Sequence, residues 1–486
     1  MEKEKKSLKL NMLLNAIKNL MAIIFPLLSF PYVSKTLGVE SLGKYNFAAS
    51  VITYITLIAG LGIETYAIRE GAKYRDDREK MSRFASQIFS INTISTAFAF
   101  LVLFILLITV PKFQGYSVLL LVLATQVIFT TIGVNWIFSI YEEFAYVTIR
   151  SIVFQILAII AMFVFIKTPD HVLIYAIITA GVVVVSNAIN FFVARKHCSI
   201  KITFNMNWKE HFKPILILFI STASITIYTS SDTTILGFIS GEYAVGIYTV
   251  AHKVYFIIKN LLFSAIVVTI PRMALLLGQK RNDEANVLSS SVLSTTISII
   301  IPAIVGLIAL SREVITLISD ETYIPAIPAH IILTIAIIFS MGGYFWGHAV
   351  LIPAKEEYYY LKVTIISALT NIVLNLILIP FFSEVAAATT TLIAEIVAFL
   401  MCYFKGKKYV KTNGLLKAFI KSLIGAAIIV PIAIGLRMVI DNMILYSVAT
   451  VITSALLYLI IEILLKNEAV TSITNAIINK VRRRAE

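Results

Sequence analysis

The sequence predicts an all-α integral membrane protein of about fourteen transmembrane helices, set out as two six-helix lobes related by a pseudo-twofold axis along the membrane normal, with a C-terminal helix pair added. Three observations predict it. Of the 486 residues, 59% are hydrophobic and 14% charged, with a mean hydropathy of +0.89, far more apolar than a soluble domain. The apolar residues fall in runs of roughly 20 or more, the length at which a helix crosses the hydrocarbon core with its backbone satisfied. One Gly-containing turn recurs about 200 residues further along the chain.

The runs place spans at 10–35, 44–68, 84–110, 114–139, 147–167, 171–194, 214–238, 244–271, 286–310, 326–353, 359–382, 385–404, 416–438 and 443–465. Lysine and arginine crowd the cytoplasmic loops of membrane proteins, so they check this count. With the N-terminus inside, the cytoplasmic segments hold 32 of the 41 Lys and Arg, the outer segments 6 and the spans themselves 3. The net charge of +14 is therefore topology signal and attraction to anionic headgroups, with no nucleic acid implied. The basic end from Lys480 to Arg484 is expected on the inner leaflet. Met1 to Lys9 is expected to stay attached, because the apolar run behind it is too long for a signal peptide and lacks a small-residue cleavage site. The two cysteines, Cys198 and Cys402, fall at cytoplasmic span ends and argue against a disulfide framework.

The recurring turn defines the lobes. Leu37 to Ala48 carries Gly38 and Gly43, and Leu236 to Ala251 carries Gly237 and Gly246 in matching places. Each joins the first and second helix of a six-helix set. The division is an N-lobe of 1–206, a C-lobe of 207–412, and 413–486 with the last two helices and a basic cytoplasmic tail. Since six is even, both lobes enter from the cytoplasm as parallel repeats, and a cavity is expected on the axis between them.

A charge near the bilayer centre costs several kcal/mol, about 2.5–3.5 on insertion scales, so buried ions carry the functional reading. In the first span Asn11, Asn15 and Lys18 share a face at i, i+4 and i+7; Lys18 either faces a cavity or snorkels to the headgroups. On the eighth span His252, Tyr255 and Lys259 share a face, with Lys253 and Asn260 on the neighbouring one. Ammonium groups suit phosphate as mobile point charges. Lys18, His252, Lys253, Lys259 and Asn15 are thus the expected anion site, against the plainer alternative of internal pairing with an acid. The seventh span carries Thr222, Thr226, Thr229 and Thr233 on one stripe, which glues helices or lines a path. Asp232 beside it is either a structural partner, for instance of Lys44, or a gating or coupling residue. Glu395 in the twelfth span and Glu64 in the second are lone carboxylates, readily paired; Glu395 is a second coupling candidate. Pro26 and Pro31 interrupt the first helix, as a static kink or a bending gate.

The longest outer segment, about Ser311 to Pro325, leaves no room for a soluble catalytic domain. There is no phosphate-binding GxxxxGK[ST] loop, no metal-spaced His/Cys set and no paired carboxylates for acid–base work. The chain reads as a transporter without cofactor or metal, not an enzyme.

Several segments then resemble the Wzx-type polysaccharide flippases of the multidrug/oligosaccharidyl-lipid/polysaccharide exporter superfamily. They are Pro26 to Gly38 with Gly43-Lys44-Tyr45, Tyr66 to Glu70, Trp136-Ile137-Phe138 through Glu143 to Arg150, Pro271-Arg272, Leu351-Ile352-Pro353, and Asn371 to Asn375 ending at Ile379-Pro380. The resemblance covers nearly all of 10–410. It departs at Asn135, where the family often has an acid, and at Ser383-Glu384-Val385, in place of the usual Gly-containing turn. It implies transfer of an undecaprenyl-diphosphate-linked oligosaccharide from the inner to the outer leaflet of the bacterial cytoplasmic membrane, for O-antigen, capsule or similar surface polysaccharide. The basic cavity would take the diphosphate, both termini would be cytoplasmic, and the pathway's polymerase and glycosyltransferases would be partners beside membrane lipids. Alternating access, with the lobes rocking about the central axis, is the expected mechanism. Protons through Asp232 or Glu395, sodium and the membrane potential are all compatible driving forces. A drug or cation antiporter of the same superfamily would instead concentrate buried carboxylates; a lipid-II flippase also has fourteen spans and a cationic cavity; a membrane polymerase or ligase would need a large outer loop.

Overall fold

Hydrocarbon offers the backbone no water, so each crossing segment must close its own hydrogen bonds. All regular structure among the described residues is accordingly helical. The computed structural model describes residues 8–467 and 469–471, with the side chains of 8–16, 18, 19, 22, 23 and 265 outside the description. Among these residues ten helices are long and apolar enough to cross a membrane.

The first helix, Leu8–Gly60, has one non-helical residue, Gly38, at φ 72 and ψ 176. This lies in the turn expected between the first two spans, in a region essentially reserved for glycine. Pro26 and Pro31, expected to interrupt the helix, both sit in helical backbone. Two expected spans stop early. Leu61 and Gly62 take positive φ and a separate helix, Ile63–Gly71, follows; a Cβ on Gly62 would stand 2.7 Å from the amide nitrogen of Phe219, so the backbones touch there. The helix Ser117–Ile132 ends at Gly133 and Val134, where a Cβ on Gly133 would meet Asn187 Oδ1 at 2.3 Å, and the short helix Asn135–Ile140 follows. Later in the chain Glu357–Gly406 is broken at Ser383, φ 50 and ψ −127. Thr390 donates to Asn375 Oδ1 at 2.5 Å across this break, and Asn375 donates to Asn371, which holds the two arms as a hairpin.

The chain forms two compact units, Met1–Thr249 with Ile318–Thr322, and Val250–Leu317 with Tyr323–Glu486. Each has an apolar core, yet large apolar side chains also cover its outside and polar ones lie buried within. Ile108, Phe192 and Leu464 are 77%, 68% and 74% exposed, whereas Asn190, Asn375, Thr390 and His330 are fully buried. Lipid rewards this arrangement: apolar side chains face the tails, and polar ones hydrogen-bond between helices.

Within the first unit the two repeat turns meet. A Cβ on Gly43 would lie 1.8 Å from the Glu242 carbonyl oxygen, and one on Gly246 would lie 2.1 Å from that of Val39. Gly237 has the Phe47 ring in the space a Cβ would need. Lys112 donates to the carbonyls of Gly237 and Phe238, capping the end of Trp208–Ile239. Tyr66, Phe84, Trp136, Phe138 and Ile215 form a buried core at the other end. There the Tyr66 hydroxyl is 2.7 Å from His211 Nδ1, and His211 Nε2 is 3.2 Å from Gln87 Oε1. Asp77 caps the next helix, Arg78–Thr109, accepting from the amides of Glu79 and Lys80; the Lys80 amide holds its carboxyl below the usual carboxylate range.

Candidate functional site

The cations of the eighth span lie on the helix Gly241–Val267, whose residues from 250 onward belong to the second unit. Lys259 Nζ is 2.7 Å from Glu395 Oε1 on the helix Glu357–Gly406. Tyr255, one turn earlier, donates to the same oxygen at 2.8 Å, and Lys259 reaches the Tyr255 hydroxyl oxygen at 3.0 Å. The Lys259 side chain is 19% exposed and that of Glu395 7%. An ion pair at that depth is sustained by mutual compensation, because either charge alone would lack most of its hydration. The Lys259 ammonium also stands 5.1 Å from the Tyr255 ring centre and 5.4 Å from that of Phe263, contacts that favour a cation over an aromatic face. His252 packs its ring against Tyr255 and Phe256, and His252 and Lys253 are both half-buried. The structure therefore joins two sequence candidates that were read separately, Lys259 and Glu395. This is the internal pairing with an acid that stood as the plainer alternative to an anion site.

A row of aromatic groups that sequence reasoning missed continues from Lys259. Phe263 stacks on Tyr344 at 3.9 Å, Tyr344 lies 4.3 Å from the His348 ring, and the Tyr360 hydroxyl is 3.0 Å from His348 Nε2. His348 is on a π-helical stretch, Phe345–Leu351. Such widened turns re-aim side chains and recur at functional sites, and no 3.6-residue periodicity announces them.

The first unit holds a cavity of about 460 Å³. Its wall includes Asn92, Gln126, Asn135 and, from the hydroxyl stripe, Thr222 and Thr226; Glu64, read as a lone carboxylate, is on its lining too. Asn135 donates to Asn187 Oδ1 at 3.0 Å and accepts from Asn190 at 2.6 Å, so an amide cluster stands where the family resemblance leads one to expect an acid. Asp232 is buried and accepts from the Tyr248 hydroxyl at 2.9 Å. The side chains of Asn15 and Lys18 lie outside the described residues.

Residues 8–277 match the family described as polysaccharide biosynthesis protein. The chain is 27% identical over 411 residues to a protein named as an O-antigen transporter of Escherichia coli (strain K12), which covers 83% of this chain and 98% of that one. It is 24% identical over 384 residues to the capsular polysaccharide biosynthesis protein CapF of Staphylococcus aureus, covering 76% of this chain and 91% of that one. Its fold is similar to the lipid II flippase MurJ in an inward closed conformation, with a TM-score of 0.73 at 19% identity over 93% of this chain and 98% of that one. It is also similar to an inward-facing MATE family transporter of the MOP superfamily, with a TM-score of 0.62 at 14% identity over 82% and 97%. With the family match extending over more than half its length, the chain belongs to the polysaccharide biosynthesis protein family.

Proposed function

We propose that the protein moves an undecaprenyl-diphosphate-linked oligosaccharide repeat unit from the inner to the outer leaflet of the bacterial cytoplasmic membrane, for surface polysaccharide synthesis. Family membership makes the chain a flippase of lipid-linked polysaccharide and not an enzyme; the proposal adds the diphosphate, the direction and the cationic site. The observation that carries it is the Lys259–Glu395 pair with His252 and Lys253 close by on the same helix. Ionised Glu395 neutralises Lys259 and weakens its hold on an anion. A protonated Glu395 releases the ammonium to the diphosphate, so proton uptake and substrate capture reinforce one another. Lys18 and Asn15 contribute to the same anion site, with Asp232, Pro26 and Pro31 in gating.

The lobes 1–206 and 207–412 rock in alternating access, the helices of 413–486 lying along the lipid tail, with both termini cytoplasmic. Fourteen crossings are what the ten long apolar helices become when Leu8–Gly60 and Glu357–Gly406 are divided at Gly38 and Ser383 and the helices Ser117–Ile132 and Gly241–Val267 are added. The polymerase and glycosyltransferases of the pathway act before and after it. The test is depletion of the protein in its own cells, followed by extraction of undecaprenyl-linked glycans and assignment of their leaflet. Build-up on the cytoplasmic side with loss of surface polysaccharide is expected. Unchanged glycan lipids beside altered drug tolerance would replace the proposal with cation antiport.

A further inference from the structure

The cavity of the first unit differs in chemistry from the cation cluster of the second. Its lining residues include no Lys, Arg or His, and its one charge is the carboxylate of the exposed Glu64. A diphosphate gains nothing there and is repelled by that carboxylate. At about 460 Å³ the cavity falls inside the range of roughly 300–1,000 Å³ typical of small-molecule sites.

The hydrogen bonds of the wall decide what the cavity can hold. Thr56, Thr130 and Thr222 each donate their hydroxyl proton to a carbonyl of their own helix, Ile52, Gln126 and Leu218 respectively, at 2.8, 2.7 and 3.0 Å. Their oxygens keep lone pairs for a ligand. Asn92 gives its amide protons to the Ala59 carbonyl at 2.7 Å and to Ser95, which leaves Oδ1 as an acceptor. The Gln126 amide and the Thr226 hydroxyl have no hydrogen-bond partner among the described residues, although both line the cavity. The wall is thus rich in acceptors, with one uncommitted amide, that of Gln126, and the uncommitted hydroxyls of Thr65 and Thr226, which can give as well as take. A ring carrying several hydroxyl groups, each a donor and an acceptor, matches it. An organic cation would want a buried acid or a free aromatic face, whereas Glu64 is exposed and the Trp136 ring is packed into the hydrophobic core against Phe84.

We infer that this cavity is the subsite for the sugar residues of the substrate. The inference rests on the flippase function proposed above. Gln126 and Thr226 are its specificity-determining residues, with Asn92, Thr56 and Thr222 as fixed acceptors.

The experiment measures binding of two probes to the full-length protein in nanodiscs: the lipid-linked glycan extracted from its own cells, and undecaprenyl diphosphate without sugar. The wild type binds the glycosylated lipid more tightly. A Gln126→Ala/Thr226→Val protein loses roughly tenfold of that preference, the scale of one or two hydrogen bonds, and keeps its affinity for the bare lipid within about twofold. Because the bare lipid reports on folding, loss of the preference alone separates a subsite from a collapsed protein. Thr226→Ser retains the preference, and Lys253→Ala weakens both probes together. An unchanged preference in the Gln126→Ala/Thr226→Val protein would overturn the sugar subsite and leave the flippase standing. A wild type that binds neither lipid would overturn the flippase reading itself. Competition of tetraphenylphosphonium with the glycosylated lipid, abolished by Glu64→Gln, would assign the cavity to cations and overturn the inference.

Discussion

Lys259 and Glu395 are bound into one unit, so neither can be changed without changing the other's environment. Breaking a buried pair from one side costs about 3–5 kcal/mol, whereas replacing both members is often nearly neutral. Lys259→Ala and Glu395→Gln should therefore each lower the thermal unfolding midpoint of the detergent-solubilised protein. Lys259→Met/Glu395→Gln should recover most of that loss and yet fail to export glycan. Recovery of export along with stability would mean that the pair is helix glue. Lys259→Arg should retain more export than Lys259→Ala, since charge survives although the point geometry of the ammonium does not. Lys253→Ala should reduce export while the protein stays in the membrane at normal abundance, and normal export from a Lys253→Ala/Lys259→Ala protein would end the cationic-site proposal. The cations were legible in the sequence because a charge inside an apolar run is expensive wherever it points. Their partner was not, because Glu395 is 136 residues from Lys259 and only the tertiary fold joins them. The cavity was half legible: a hydroxyl stripe on one helix disclosed Thr222 and Thr226, but Asn92 and Gln126 are single neutral residues on separate helices, and nothing short of packing assembles them.

Helices in this protein end where backbone conformation or close approach forces them to, which hydropathy reads only when a loop interrupts the apolar run. Gly38 and the Ser383 turn were legible because a glycine pair and the polar pair Ser383-Glu384 marked them. The breaks at Leu61–Gly62 and Gly133–Val134 were not, since apolar sequence continues straight through both. Glycines at the first turn act in two different ways, and substitution separates them. Gly38 has open space around its Cβ position but sits at φ 72, ψ 176, so Gly38→Ala should cost about 1–3 kcal/mol of backbone strain. Gly43 is free of that strain but lies against the Glu242 backbone, and Gly246 lies against Val39. Gly43→Ala and Gly246→Ala must push apart two turns with no flexible side chain to yield, and each should lower the unfolding midpoint more than Gly38→Ala does. Ser383 is the converse case, a side chain held at φ 50, ψ −127. Ser383→Gly should raise the midpoint by relief of about 1 kcal/mol or more of strain; a lower midpoint would show that the serine makes a compensating contact.

Topology belongs to the molecule as a whole, and the proposed fourteen crossings put 32 Lys and Arg on one side and 6 on the other. Cysteine chemistry offers a clean way to read it. Cys198 and Cys402 are buried and free, and burial pushes the Cys198 thiol up to about 11, so little thiolate exists at neutral pH. The folded protein should therefore react poorly with a membrane-impermeant maleimide, and Cys198→Ala/Cys402→Ala should be a silent background that still exports glycan. In that background, cysteine placed at the exposed positions Lys80, Lys201 or Lys408 should label only after the membrane is permeabilised. Cysteine at Asp170, Glu321 or Asp441 should label in intact cells. One crossing more or fewer between Lys201 and Lys408 would put those two positions on opposite faces. The second set would then hold five or seven crossings and could not repeat the six of the first about an axis along the membrane normal.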